Sequence, residues 1–279
     1  MTLLQALLLG IIQGLTEFLP ISSTAHLTIA GTFLGLINPA RPGDWTAFIA
    51  IIQLGTVAAV ITYFFPDLME MVRSVNADIR KKDNRPHWSH NSRLAGQIIV
   101  GTIPVVVAGL ALKKIIEGTL TKSPTVIATS MIVLALILLW AERTGRRDRG
   151  ETHTSWKDAL VVGIAQAFAL IPGSSRSGTT ITAALVLGFT RDTAARFSFL
   201  LSIPAVLASG LYELYGIRHQ YSELSLAPLC VATLASGIVG YLTIAFLLRY
   251  LKTHSTFLFI YYRLIAGCIL FGLVAATLI

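Results

Sequence analysis

The chain has 279 residues, 54% of them hydrophobic and only 13% charged, with a net charge of +8. So little charge over that length excludes a soluble globular core and points to a polytopic membrane protein. The cations flank apolar runs rather than forming a basic stripe, which is the pattern of membrane loops and excludes a nucleic-acid surface.

The N-terminal MTLLQALLLGIIQG lacks the basic segment and small-residue cleavage site of a signal peptide, so it is expected to be retained. The first apolar stretch, 3–35, is interrupted by EFLPISST. Pro20 pushes the residue before it away from helix, and the serines after it can cap a new one. The stretch is too short for two spans of about 20 residues each, which predicts a re-entrant hairpin of two half-helices. Spanning helices are predicted at 46–64, 94–112 and 124–141, and 65–93 is read as a loop. A second interrupted stretch, 159–189, breaks at IPGSSRSGTT and predicts a second hairpin around Pro172. Three more spans follow at 196–215, 226–248 and 256–279. Cys230 and Cys268 both lie in apolar runs and read as packed thiols, not as a disulfide.

The two interrupted stretches match each other. GIIQGLTEFLPISST (10–24) aligns with GIAQAFALIPGSSR (163–176) after one deletion, pairing Gly10 with Gly163, Gln13 with Gln166, Pro20 with Pro172, and Ser22 and Ser23 with Ser174 and Ser175. The expected fold is an all-α integral membrane protein of two inverted repeats, with six spanning helices and two re-entrant hairpins. Repeat one covers 1–142, repeat two 156–279, and a basic cytoplasmic linker 143–155 joins them. Interrupted segments in corresponding positions of two repeats point to a binding site near the bilayer midplane. With six spans, fifteen cations fall on one side (six in 65–93, five in 142–157, and Arg191, Arg196, Arg249 and Lys252) and five on the other (Arg41, Lys113, Lys114, Lys122 and Arg218). The positive-inside rule places the first set in the cytoplasm and both termini outside.

Arg176 is a cation at bilayer depth, which costs about 2.5–3.5 kcal/mol on insertion scales and by default marks a functional site. Its guanidinium fork suits phosphate, and helix N-termini favour anions. Ser174, Ser175, Ser177 and Thr180 surround it, and Ser22, Ser23 and Thr24 form a similar hydroxyl cluster at the other tip. Glu17 is the one acid of the first stretch. Gln13 lies one turn before it, and His26 lies three residues after Ser23, on one helix face. Arg263, in IYYRLIAG, is a second intramembrane cation that either assists a second phosphate or pairs structurally. Hydroxyls, cations and one carboxylate suit a phosphate held with a divalent ion, since Mg²⁺ commonly takes one or two carboxylates plus substrate phosphates. A site at this depth implies a lipid phosphate. No Walker motif and no zinc-spaced cluster occurs.

At these residues the chain resembles the undecaprenyl-diphosphate phosphatase family of the bacitracin-resistance type. The first family signature reads QGLTEFLPISSTAH here (13–26) and the second PGSSRSGTT (172–180). IIQLG, SFLLSIP and IYYR extend the likeness along essentially the whole chain. The resemblance implies a multi-pass enzyme of the bacterial inner membrane whose site opens to the outer side. It implies removal of the terminal phosphate of undecaprenyl diphosphate with Mg²⁺ or Ca²⁺, through Gln13, Glu17, Ser23, His26, Ser175, Arg176 and Thr180. Many members carry Glu where this chain has Gln13; the amide supplies an oxygen without charge and shifts the metal role to Glu17. Two chemical routes stay open: attack by Ser23 with His26 as base, or attack by water activated by His26. Inverted repeats also build transporters, so a lipid-phosphate flippase is the alternative function.

Overall fold

The computed structural model describes residues 1–81, 88–118, 123–220 and 226–276. Among the described residues, six helices are long and apolar enough to cross a membrane: α3 (Pro42–Tyr63), α5 (His90–Ala111), α7 (Pro124–Thr144), α10 (Arg191–Gln220, apolar through Tyr215), α11 (Leu226–Leu251) and α12 (Phe257–Ala275). They match the six predicted spans. Four shorter helices form the two hairpins. In the first, α1 (Leu3–Phe18) leads to α2 (Ser23–Phe33); in the second, α8 (Trp156–Ala167), a 3-10 turn at Phe168–Leu170 and α9 (Arg176–Val186) follow one another. At 1.5 Å per residue α1 reaches about 24 Å and the others less, all short of a bilayer core about 30 Å thick.

Each hairpin breaks where Pro and a strained serine stand together. Leu19 and Ile171 are extended, as residues before proline must be. Ser22 and Ser175 then adopt positive φ, 78° and 67°, and their side chains accept hydrogen bonds from Ala25 N and Gly178 N to start α2 and α9. The two caps correct the sequence alignment by one residue. Ser22 corresponds to Ser175, and Ser23 to Arg176, because PGSS has one more residue than PIS between proline and cap.

The repeat relation governs the packing. The first span after hairpin one, α3, lies against the first span after hairpin two, α10, and the third spans, α7 and α12, lie together. The half-helices are exchanged: α1 packs on α11 of the second repeat, and α8 packs on α5 of the first. Gly10 and Gly163 sit at these crossings. A Cβ on Gly10 would lie 2.4 Å from Ala232 O, and one on Gly163 would lie 2.2 Å from Gly101 O. Small residues at such contacts let backbones approach in a lipid setting, where apolar area alone gives no drive to associate. Three spans separate the hairpins, so they enter from opposite faces.

The predicted loop 65–93 instead contains an amphipathic helix, α4 (Phe65–Arg80), with Pro66 in its first turn. A search for span-length apolar runs passes over such a helix, because one of its faces is polar. Its last turn is tied to the start of α5 through Asp78, which accepts from Ser89 N, Ser92 Oγ and Lys81 Nζ at 2.7–2.8 Å. Lys81 and these serine donors hold the Asp78 carboxyl well below the usual carboxylate range. A short helix, α6 (Lys113–Glu117), follows α5. Of the counted cations, Lys82, Arg85 and Lys122 lie outside the described residues, as does the end of the last predicted span.

On the face with the larger positive charge, the linker is folded onto the helix ends. Glu142, 1% exposed, accepts from Arg147, Arg191 and the Thr256 hydroxyl, joining α7, α10 and α12. Arg149 makes a two-pronged pair with Asp158, 3.1 and 2.6 Å, and donates to Leu187 O at the end of α9. Cys230 and Cys268 are free, as expected, but exposed on the helix surface and not packed inside.

Candidate active site

The hairpin tips meet in the interior. Ser177 Oγ of one tip donates to Leu19 O of the other at 3.0 Å. Arg263 of α12, fully buried, reaches both: its guanidinium donates to Pro20 O (3.4 Å), Gly173 O (3.1 Å) and Ser174 O (3.0 Å). Gly178 makes room for it, since a Cβ there would lie 2.7 Å from Arg263 Nη1. Arg263 thus donates to carbonyls that proline and positive-φ geometry leave without helical partners, while its Nε is buried without a partner.

Glu17, 5% exposed, is the centre of the cluster. Its Oε2 accepts from Gln13 Nε2 (2.9 Å) and Ser23 Oγ (2.6 Å), and its Oε1 accepts from Arg176 Nη2 (2.9 Å). The i, i+4 relation of Gln13 and Glu17 and the re-entry at Ser23 bring the first two together; only the meeting of the tips brings Arg176. Arg176 Nε and Nη1 are buried without a partner, and Gln13 Oε1 likewise. Two guanidinium donors left open at the N-terminus of α9, with the N-terminus of α2 facing the same cluster, make a site for an anion.

This cluster forms the inner end of a cavity of about 530 Å³. Glu17, Ser22, Ser23, Thr24, Ser175 and Arg176 line that end. Apolar side chains of α3, α5 and α10 wall the remainder, out to Lys113 and Tyr212. There the Lys113 ammonium donates to the Tyr212 hydroxyl and lies 4.6 Å from its ring centroid. The cavity therefore opens toward the face bearing fewer cations.

The remaining predicted residues stand one layer back. His26 does not line the cavity: its Nδ1 lies 2.7 Å from Ser22 O and its Nε2 2.6 Å from the Tyr262 hydroxyl. A carbonyl only accepts, so Nδ1 is assigned the proton and Nε2 accepts from the phenol. The imidazole braces the strained cap at Ser22 instead of bonding to Ser23. Thr180 Oγ1 donates to Arg176 O (2.8 Å) and meets Ser198 Oγ (2.5 Å), supporting the first turn of α9. Ser177 joins the tips, and Ser174 is fully buried with its hydroxyl unpartnered. Sequence reasoning did not see the cavity walls, Ser198 or the brace from Tyr262, because each depends on helices distant in sequence.

No group of three or more His, Cys, Asp or Glu occurs together among the described residues. Glu17 is the cluster's one carboxylate, beside the open Gln13 Oε1 and the Ser23 hydroxyl. This all-oxygen donor set fits a hard divalent cation that draws its other ligands from a phosphate and water.

A family model described as bacitracin resistance protein BacA matches residues 6–269. A protein of Syntrophobacter fumaroxidans named undecaprenyl-diphosphatase is 53% identical over 268 residues, covering 96% of this chain and 95% of that protein. Proteins of the same name from Chloroherpeton thalassium and Chlorobium phaeobacteroides are 52% and 50% identical, each over 99% of this chain and 98% of their own length.

Proposed function

The chain belongs to the bacitracin-resistance BacA family, and on that premise we propose how its buried cluster carries out the family's reaction. The protein is a multi-pass membrane hydrolase that converts undecaprenyl diphosphate to undecaprenyl phosphate and inorganic phosphate. The observation that carries the mechanism is Glu17 bonded at once to a hydroxyl and to a guanidinium with two further donors open, at the end of an apolar-walled cavity.

Arg176 Nε and Nη1 hold the terminal phosphate against Ser23. Ser23 Oγ attacks phosphorus as its proton passes to Glu17 Oε2, already 2.6 Å away. The bond from phosphorus to the bridging oxygen breaks, and that oxygen leaves with the electron pair on undecaprenyl phosphate. Charge developing on the transferred group meets the Arg176 fork and the first-turn N–H groups of α2 and α9, donors fixed before the reaction begins. Glu17 passes the proton it took to the departing lipid phosphate. Water then attacks the phosphoserine and gives a proton to Glu17. The phosphorus–Oγ bond breaks with its electron pair on Ser23 Oγ, Glu17 returns the proton to that oxygen, and phosphate departs. His26 acts one step removed, by holding Ser22 and with it Ser23. Glu17 and Gln13 Oε1 would hold Mg²⁺ or Ca²⁺, which when bound neutralises diphosphate charge.

The opening of the cavity toward the face with fewer cations supports a site on the outer side of the bacterial inner membrane, with the substrate entering from the bilayer. The test uses protein purified in detergent micelles, where no two compartments exist. Phosphate release from undecaprenyl diphosphate, lost with chelator and restored by Mg²⁺ or Ca²⁺, is expected. A protein that moves the lipid between leaflets of vesicles without releasing phosphate would make it a flippase instead.

A further inference from the structure

We propose that Gln166 binds the lipid-side phosphate of the diphosphate, the one that stays on the product; this rests on the hydrolase reading above. Gln166 lies in the last turn of α8, fully buried, on the cavity wall with Ser175 and Arg176. Neither its Nε2 nor its Oε1 has a partner in the protein. Exchanging the two atoms changes nothing, because both are open.

A buried amide left without partners is destabilising, and a ligand that pairs it removes that cost. The repeat supplies the control. Gln13, the matching residue of α1 and equally buried, commits its Nε2 to Glu17. Four residues after Gln166 stands Leu170, which offers nothing to bond. The second repeat thus keeps the buried amide and drops the carboxylate that would occupy it. An amide gives two N–H donors to an anion and one acceptor to water or a protonated oxygen, with no charge of its own.

That chemistry suits the lipid-side phosphate. Arg176 and Ser23 provide for the terminal phosphate, and a diphosphate brings a second set of oxygens into the same cavity. A neutral donor holds them while leaving the product free to dissociate, which a second guanidinium would slow. The apolar wall that begins at Ala169 and Leu170, next to Gln166, continues the path along which a prenyl chain leaves the phosphate.

The test compares full-length wild-type protein with Gln166→Leu, a near-isostere without polar atoms, and with Gln166→Asn, which withdraws the amide by one methylene. Measured are KM for undecaprenyl diphosphate, inhibition constants for undecaprenyl phosphate and for inorganic phosphate, and thermal unfolding without ligand. In Gln166→Leu, KM and the inhibition constant for undecaprenyl phosphate should both rise about tenfold or more. The constant for inorganic phosphate should hold, and the unfolding temperature should stay or rise, because an unpaired amide has been removed. Gln166→Asn should shift the same two constants. An unchanged constant for undecaprenyl phosphate in both variants overturns the assignment, as does a rise confined to inorganic phosphate or a loss cured by added Mg²⁺. A wild-type protein that releases no phosphate would instead overturn the hydrolase reading.

Discussion

Glu17 uses its two oxygens for different tasks, one holding Arg176 and the other facing the Ser23 hydroxyl. Ser23→Ala and Glu17→Ala should therefore each lower turnover by orders of magnitude, and the double variant should be little worse than either, because the pair acts as a unit. Labelled phosphate recovered on Ser23 after an acid quench would establish the covalent step; full turnover in Ser23→Ala would refute it. Arg176→Lys keeps the charge but loses the fork, so it and Arg176→Ala should each cut phosphate release about 100-fold or more. Turnover near wild type in Arg176→Ala would remove the phosphate site from this place. Gln13→Glu should stay active, because it keeps an oxygen at the position of the open Oε1. His26→Ala should fall short of the loss in Ser23→Ala, since the imidazole reaches the serine only through the cap.

At the scale of elements, the site depends on two broken hairpins held tip to tip. Arg263→Met would strip three tip carbonyls of their donor, so unfolding temperature in detergent should drop, and Arg263→Lys should recover only part of it because a single ammonium cannot reach both tips. An unchanged melting temperature in Arg263→Met would show that the clamp is dispensable. The exchanged half-helices make a parallel prediction. Gly163→Ala places a Cβ 2.2 Å from Gly101 O and Gly10→Ala one 2.4 Å from Ala232 O, and both contacts are to backbone. Each should cost about 1–3 kcal/mol, typical of overpacking, as read from thermal or denaturant unfolding. Values indistinguishable from wild type would mean the crossings are looser than described.

Across the whole molecule, two hairpins entering from opposite faces bring two helix N-termini and one carboxylate to a common centre, which no single repeat could do. Orientation can be read chemically. With Cys230 and Cys268 replaced by serine, a cysteine at exposed Asn38, between α2 and α3, should react with an impermeant thiol reagent in intact cells. One at exposed Asn76 of α4 should react only after permeabilisation. The reverse pattern would turn the protein over and place the cavity mouth in the cytoplasm.

The sequence by itself determined the spans, the breaks and the repeat, because each is written in local chemistry: apolar length, proline, capping serine and the spacing of Gln13 from Glu17. It also placed Arg176 and Glu17 at membrane depth, where an unpaired charge has no solvent to screen it. Only the tertiary structure decided which groups meet. Ser23 could have bonded His26 one turn away, but the strained cap turns the hydroxyl to Glu17 and leaves the imidazole on Ser22 O and Tyr262. Arg263, a lone cation by sequence, is brought by the meeting tips onto the carbonyls of both hairpins. The register of the capping serines, the amphipathic α4 and the open amide of Gln166 were likewise settled by contacts between helices far apart in the chain, which no local pattern encodes.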